Sequence, residues 1–362
     1  MTIVFRSLGK YVQGNGALKS IGEHVKGIGN RPLVLASKRV WGLTKDSLIE
    51  SFGSDATVHY VEFQGESSQN EVNRVADEGR ANSVDVVIGA GGGKALHTAK
   101  AVADELGVGM VMVPSIASSD APGSALSVIY TDDGVFESYR FFNKNPDLVL
   151  VDTALIAKAP ARLFSSGIAD AMATWIEARA TFNSNGVAMS GGKPSIAARA
   201  IAEKCEEILF TYGEVAYKAV QKGLVTSQVE AVVEANTLLS GIGFESGGLA
   251  GAHAVHNGFT VLEGDIHHLT HGEKVTYGTL VQLVLENQST EEILKYMRFY
   301  RSLGLPTTLK DMHLENVPYE DLLRVGEAST QDGETMDNML GDFSAQDVAD
   351  AILAVDQISE LL

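Results

Sequence analysis

The stretch from Val84 to Lys94 constrains the fold most. Val84-Asp85-Val86-Val87-Ile88 is a short run rich in β-branched residues, the composition of a buried strand. It runs straight into Gly89-Ala90-Gly91-Gly92-Gly93-Lys94, and a helical pattern follows from Ala95 to Leu106. Strand, glycine turn and helix in that order are the start of a parallel βαβ unit. Glycines let a backbone approach a ligand closely. The helix N-terminus beyond them offers unpaired amides and the positive end of a dipole, which suits a pyrophosphate. Neither common phosphate motif is complete. A Walker A loop needs glycine where Ile88 stands and Ser or Thr where Ala95 stands, and G-x-G-x-x-G needs glycine where Lys94 stands. The competing reading is a tight turn that happens to be rich in glycine.

The pattern around this unit repeats it. Strand signals at Leu33–Ala36, Thr57–Phe63, Gly109–Pro114 and Leu148–Val151 alternate with helical periodicity at Gly16–Lys26, Thr44–Phe52 and Ser67–Arg80. Short strand signals precede them at Ile3–Phe5 and Tyr11–Gly16. Leu126–Thr131 and Val135–Phe141 flank Asp132-Asp133-Gly134, a D-G hairpin signal. The expectation is a Rossmann-like α/β domain with a mostly parallel sheet. After Val151 strand signals fade. Helical patterns follow at 154–158, 162–179, 195–209, 213–222, 227–241, 249–262, 274–287, 291–303, 318–328 and 345–362. A chain of 362 residues suits two domains. The division expected is 1–157 for the nucleotide-binding domain and 158–362 for an all-α domain.

Composition excludes several classes of partner. The net charge of −18 repels nucleic acid and anionic membranes. There is no apolar run long enough to span a bilayer, and the first residues lack the apolar core of a signal peptide. The single cysteine, Cys205, rules out a disulfide within the chain and points to a reducing cytoplasm.

Three places carry candidate chemistry. After the strand at Gly109–Pro114 comes Ser115-Ile-Ala-Ser-Ser-Asp120-Ala-Pro122, a loop of small and hydroxylic residues where open α/β sheets bind ligands. Asp120 is its one charge, a candidate for gripping a hydroxyl or for capping a turn. Asp170 lies among small apolar residues of an expected helix, so it either caps a helix start or is a buried carboxylate in need of a partner. Finally, five of the nine histidines, His253, His256, His267, His268 and His271, fall within one short segment. His253 and His256 would share one helical face and His267 and His271 another. Two histidines, one carboxylate and an open position make a catalytic zinc arrangement. Spacing does not choose which histidines bind, and the absence of H-E-x-x-H argues against a metalloprotease.

Seven stretches together resemble the iron-containing, or group III, alcohol dehydrogenases and, within them, the glycerol-oxidising enzymes. They are GGGK (91–94), PSIASSDAP (114–122), SALSVIYTDDG (124–134), APARL (159–163), GIADAMATWIEARA (167–180), SGIGFESGGLAGAHAVHNG (240–258) and HGEKVTYGTL (271–280). The resemblance covers nearly the whole chain. It implies a dehydroquinate synthase-like fold, an NAD-binding α/β domain and a helical domain, with the active site in the cleft between them. It implies one divalent metal per subunit, zinc with iron as the alternative, held by Asp170, His253 and His271. His256 falls beside that site as a candidate for passing a proton. Asp120, with the three ligands, would meet a small polyol. Cofactor contacts fall on Gly91, Gly92, Gly93, Lys94, Ser115, Ser118, Ser124, Leu126 and Tyr130, and the assembly implied is a homo-oligomer, often an octamer. His267 and His268 are left as loop residues.

Two departures stand out. Where the family holds the adenosine ribose with an aspartate, this chain has Ser37, followed by Lys38 and Arg39, so NADP tolerance stands beside NAD. His97 replaces an aspartate in the helix after the glycine loop, and nothing in the sequence accounts for it. The implied activity is oxidation of glycerol to dihydroxyacetone with hydride transfer to NAD. The alternatives are another small polyol, 1,2-diol or 2-hydroxy acid, and a dehydroquinate synthase-like lyase. The lyase would want several cations, which the motif stretches lack.

Overall fold

The inner strands of the main sheet are largely apolar on both faces, and its edge strands carry polar residues. A computed structural model describes residues 2–53 and 57–362. Its strands are β1 (Tyr11–Gly14), β2 (Pro32–Ala36), β3 (His59–Glu62), β4 (Val86–Gly91), β5 (Gly109–Pro114), β6 (Leu126–Tyr130), β7 (Phe136–Phe141) and β8 (Leu148–Asp152). Every residue of β2, β4 and β8 is buried. Six strands form one sheet in the order β1-β8-β5-β4-β2-β3, and every pairing is parallel. The helices among them are α1 (Ile21–Val25), α2 (Lys38–Phe52), α3 (Gln69–Ala81) and α4 (Gly93–Leu106). β6 and β7 make the expected antiparallel hairpin, turning through Gly134 at φ 83°.

The register positions the loops that matter. Ala36 pairs with Ala90, and Gly91 with Pro114. The residues after β2, β4 and β5 therefore leave the sheet side by side at its carboxyl edge, where this class of sheet binds ligands. Gly89 lets α4 lie close on β4, since a Cβ there would sit 2.5 Å from the Ala99 methyl. α2 starts six residues earlier than its apolar periodicity predicts. Ser37 caps it by accepting from the Val40 amide at 3.3 Å, so the polar first turn is helical after all.

The remaining helices are α5 (Thr153–Ile156), α6 (Ala161–Asn183), α7 (Ile196–Val220), α8 (Ser227–Glu234), α9 (Ser240–Gly247), α10 (Gly251–Phe259), α11 (His271–Leu285), α12 (Thr290–Ser302), α13 (Tyr319–Ser329) and α14 (Ala345–Ser359). α7 is one helix where two are predicted. Gly213 does not break it, because a Cβ there would meet Phe299 of α12 at 2.7 Å; close packing is the reason for that glycine. Residues 235–239 form a π-helical turn between α8 and α9. Among the described residues no helix is long and apolar enough to cross a membrane.

Contacts divide the chain into two units, and neither is continuous. One comprises Ser7–Pro160 and Ala219–Gly241; the other comprises Met1–Arg6, Ala161–Lys218 and Ile242–Leu362. In the first, residues 219–241 are tied to the sheet by side chains. Gln13 Nε2 donates to Glu230 Oε2 at 2.7 Å, Thr153 to Glu230 Oε1 at 2.6 Å, and Tyr11 shares a 2.6 Å hydrogen bond with Thr237. In the second, α6, α10 and α11 meet over Ala173, Ala252 and Val275, one small residue or β-branched side chain from each. Two glycines of α11 set the spacing. A Cβ on Gly272 would lie 1.9 Å from the Ser166 carbonyl oxygen of α6, and one on Gly278 would lie 2.3 Å from the Ala252 carbonyl oxygen of α10.

Candidate metal centre and cofactor loops

The three-helix contact brings Asp170 of α6, His253 of α10 and His271 of α11 together, with ligand atoms all within 4.8 Å of one another. α11 begins at His271, earlier than the helix predicted from 274. Thr270 and Glu273 form a capping box around its first turn. Arg162 grips Glu273 with two hydrogen bonds of 2.6 and 2.7 Å. The ligand-bearing end of the helix is thereby fixed.

Asp170 is 2 % exposed, and neither of its oxygens makes a hydrogen bond of acceptable geometry. A buried carboxylate left so is costly unless a cation completes it. His271 Nε2 lies 3.1 Å from Asp170 Oδ1, and His253 Nε2 lies 3.5 Å away. The opposite ring nitrogens are held from outside. His253 Nδ1 faces Glu177 Oε2 at 2.6 Å, and a carboxylate there accepts a hydrogen bond from Nδ1–H. On the other side, Asn257 Nδ2 donates to Glu334 at 3.2 Å, which turns its Oδ1 toward His256 Nδ1 at 3.1 Å. His256 Nε2 is then an acceptor, and His271 Nδ1 donates to it at 3.0 Å. This assignment from the hydrogen-bond chain leaves Nε2 of both His253 and His271 bare and aimed at Asp170. Three lone-pair donors converging on one point suit a divalent cation.

Without a cation, the imidazoles themselves carry the positive charge that the site attracts, and a bound cation would displace their Nε2 protons. Burial works against charge on both Asp170 and His253. Yet the charges of His271 and His253 hold the Asp170 carboxyl far below the usual carboxylate range, and the Glu177 and Asp170 carboxylates hold His253 well above the usual imidazole range. The pocket favours positive charge. His256 goes the other way: burial first, then His271, Lys274 and His253, push it well below the usual range, so it is neutral. Both its nitrogens are engaged. The structure therefore gives His256 the work of holding His271, rather than leaving a ring nitrogen open for a proton relay. His271 is the most exposed of the three, with 42 % of its side chain accessible. His267 Nε2 contacts the Leu262 carbonyl at 2.6 Å and His268 is exposed near Asp265; neither joins the cluster.

In the α/β unit, Gly91, Gly92, Gly93 and Lys94 line a cavity of about 280 Å³ together with Ser37, Val40, Phe63 and Ala95. Gly92 caps α4, and no capping side chain accepts from its first amides. A Cβ on Gly91 would sit 2.7 Å from Ala95, and one on Gly92 would sit 3.0 Å from Ile116. This cradle, with bare amides and no side chain to fill it, fits a dinucleotide phosphate. Lys94 is paired with Glu66 and sits 5.3 Å from the Tyr130 ring centre. The Ser115 amide donates to Gly91 at 2.9 Å and joins the two loops. Ser118 and Asp120 are half-buried in that loop. Ser124 is fully buried: Lys100 Nζ donates to its hydroxyl and carbonyl, and also to the carbonyls of Ala121 and Leu126. Sequence reasoning missed Lys100, whose apolar neighbours on α4 are the only hint of its burial. It also missed Glu177, though that residue lies seven positions after Asp170 and so on the same face of α6.

The profile of the iron-containing alcohol dehydrogenase family matches residues 9–153. Over 99 % of its length the chain is 47 % identical to a glycolaldehyde reductase of Halobacterium salinarum, covering 98 % of that protein. It is 46 % identical to a glycerol dehydrogenase of Escherichia coli, covering 99 % of this chain and 98 % of that one. The crystal structure of glycerol dehydrogenase from Schizosaccharomyces pombe superposes with a TM-score of 0.95 at 41 % identity, covering 99 % of this chain and 92 % of that one. A parallel sheet ending in a glycine cradle, a buried carboxylate facing two imidazoles, and full-length likeness to these oxidoreductases lead to one conclusion: the chain is an enzyme of the iron-containing alcohol dehydrogenase family.

Proposed function

We propose that the chain oxidises glycerol reversibly to dihydroxyacetone, using NAD and one divalent cation. The observation that carries this is the buried, unsatisfied Asp170 facing two imidazole nitrogens, in a chain 46 % identical over its length to a glycerol dehydrogenase. Two imidazoles, one carboxylate and an open position suit zinc, and the same set accepts iron. When bound, the cation supplies Lewis acidity that lowers the pKa of a substrate hydroxyl, and NAD supplies the hydride acceptor.

The protein's own residues do the rest. Asp170, His253 and His271 hold the cation. His256, kept neutral, holds His271 in its ligating orientation. Asp120 is assigned the orientation of a substrate hydroxyl. Gly91, Gly92 and Gly93 present amides to the cofactor phosphates. Lys94, Ser115, Ser118 and Tyr130 border them, and Ser124 and Leu126 shape the loop through Lys100. The likeness to a glycolaldehyde reductase supports a second substrate reading, a small hydroxyaldehyde, 1,2-diol or 2-hydroxy acid. Ser37 supports a second cofactor reading. It lines the cavity with the glycine loop, a carboxylate in its place would disfavour a 2′-phosphate, and the exposed Lys38 and Arg39 follow it. A homo-oligomer is also proposed; the exposed Ile196 and Leu340, 80 % and 73 % accessible, support association, and light scattering tests it.

The deciding experiment is a substrate panel with NAD and NADP on metal-analysed protein. Glycerol-dependent NADH formation is expected, lost together with the metal in His271→Ala. Near-normal activity of that variant with zinc bound would refute the ligand assignment.

A further inference from the structure

The helix carrying His253 has no cap of its own. Ala250, at its N-cap, offers no side-chain oxygen, and the first amides of a helix need partners from elsewhere. They find them on the two neighbouring helices. Gln282 Oε1 of α11 accepts from the Ala252 amide at 2.8 Å. Glu177 Oε1 of α6 accepts from the Ala250 and His253 amides at 2.8 and 2.9 Å, and its Oε2 faces the His253 ring nitrogen. Glu177 is entirely buried. One carboxylate thus fixes both the backbone of His253 and its imidazole, through three donors.

Resting on the reading that Asp170, His253 and His271 hold a cation, we propose that Glu177 is a positioning residue of that site. It keeps the His253 proton on Nδ1 and so keeps Nε2 bare for the metal. The alternative tautomer would place a bare Nδ1 against a carboxylate and a proton where the metal belongs. α6 then supplies two carboxylates with separate work, two helical turns apart on one face. Asp170 ligates, and Glu177, two turns further on, orients a ligand it shares with Asp170. The likeness between the two acids ends at their partners. Asp170 has no amide donor and needs a cation, whereas Glu177 accepts from three donors and needs none.

The test is zinc affinity of the metal-free chain, measured by competition with a chromophoric chelator, in Glu177→Gln, Glu177→Asp and His253→Ala. The Gln variant keeps an oxygen for the two amides but puts an NH2 group toward Nδ1. Its expected zinc affinity is about 10- to 100-fold weaker, the range for lost outer-sphere partners, at a melting temperature near that of the parent. Affinity within twofold of the parent would overturn the proposal. His253→Ala separates the two readings: if it too binds zinc normally, the metal site itself is wrong, not only the role of Glu177. Should Glu177→Gln fail to fold, the unaltered zinc-loaded enzyme decides by ¹⁵N-histidine NMR. A protonated Nδ1 and zinc-ligated Nε2 on His253 support the proposal, and the reverse overturns it.

Discussion

Gly272→Ala would test whether the metal centre depends on the close approach of two helices. The new methyl would start 1.9 Å from the Ser166 carbonyl oxygen, against an ordinary C···O contact of about 3.3 Å. The obstacle is backbone, so it cannot rotate away, and α11 must retreat from α6 by roughly 1.4 Å if neither helix deforms. His271 is the adjoining residue, and Asp170 is one turn along α6 from Ser166. Metal–ligand distances tolerate about 0.2 Å. The required shift is several times larger, so zinc affinity should fall by at least two orders of magnitude, on the order of 3 kcal/mol. Stability is a blunter gauge. Overpacking costs about 1–3 kcal/mol, while replacing helical glycine by alanine returns about 1 kcal/mol. The two partly cancel, and the melting temperature should drop by only a few degrees. The assay is chelator competition on the metal-free protein beside thermal unfolding. Gly42→Ala serves as control: that glycine is in α2 with nothing within 4 Å of its added methyl, so stability should rise slightly with zinc affinity unchanged. Zinc binding within twofold of the parent in Gly272→Ala would show that this glycine does not set the ligand geometry.

Further outcomes follow from the same geometry. Glu273→Gln removes the capping-box carboxylate that starts α11. Burial acts to raise the Glu273 pKa, but Arg162 and Thr270 outweigh it and hold it below its ordinary value. Its contribution, about 1 kcal/mol, is thus present above the ordinary value and lost as pH falls through the depressed one. The stability gap between variant and parent in denaturant titrations should be constant near neutrality and close in acid; a gap that persists there contradicts the assignment. Ser37→Asp places a carboxylate in the lining of the glycine-loop cavity and should shift kcat/KM on the order of 100-fold toward NAD over NADP. A parent enzyme preferring NAD by a thousandfold or more would remove the basis for NADP tolerance. Lys100→Met strands the Ala121, Ser124 and Leu126 oxygens, and should cost about 3 kcal/mol in denaturant unfolding and weaken NADH binding measured by fluorescence. An unchanged NADH affinity would mean that Lys100 does not shape the cofactor loop.

What could be read from the chain follows the range of each signal. Parallel strands are locally encoded, because burial on both faces forces continuous apolar runs such as Val86–Ile88. The hairpin is local too, carried by Asp132-Asp133-Gly134. The start of α11 was equally legible, since Thr270-x-x-Glu273 is a capping box, but apolar periodicity alone places the start later. Composition could count the histidines and not sort them. The sorting is done by Ala173, Ala252 and Gly272, small residues whose function is to let helices approach, and smallness carries no address. The His97 carbonyl accepts from the Ser127 hydroxyl at 2.8 Å, a contact that any residue there could make and that does not account for the histidine.

The divided α/β unit has a consequence for synthesis on the ribosome. All its strands have emerged once β8 is made, yet the sheet edge is not yet finished. Tyr11 and Gln13 on β1 wait for Thr237 and Glu230, and the Ala117 carbonyl in the cofactor loop waits for the Asn236 amide at 3.1 Å. Those residues are translated about 80 positions after β8, a delay of roughly 4 to 16 s at common elongation rates. Through that interval the nascent chain carries an edge strand without its native cover, while α6 and α7 of the other unit are being made. Completion of the cofactor loop is thus timed by the helical segment that interrupts its unit.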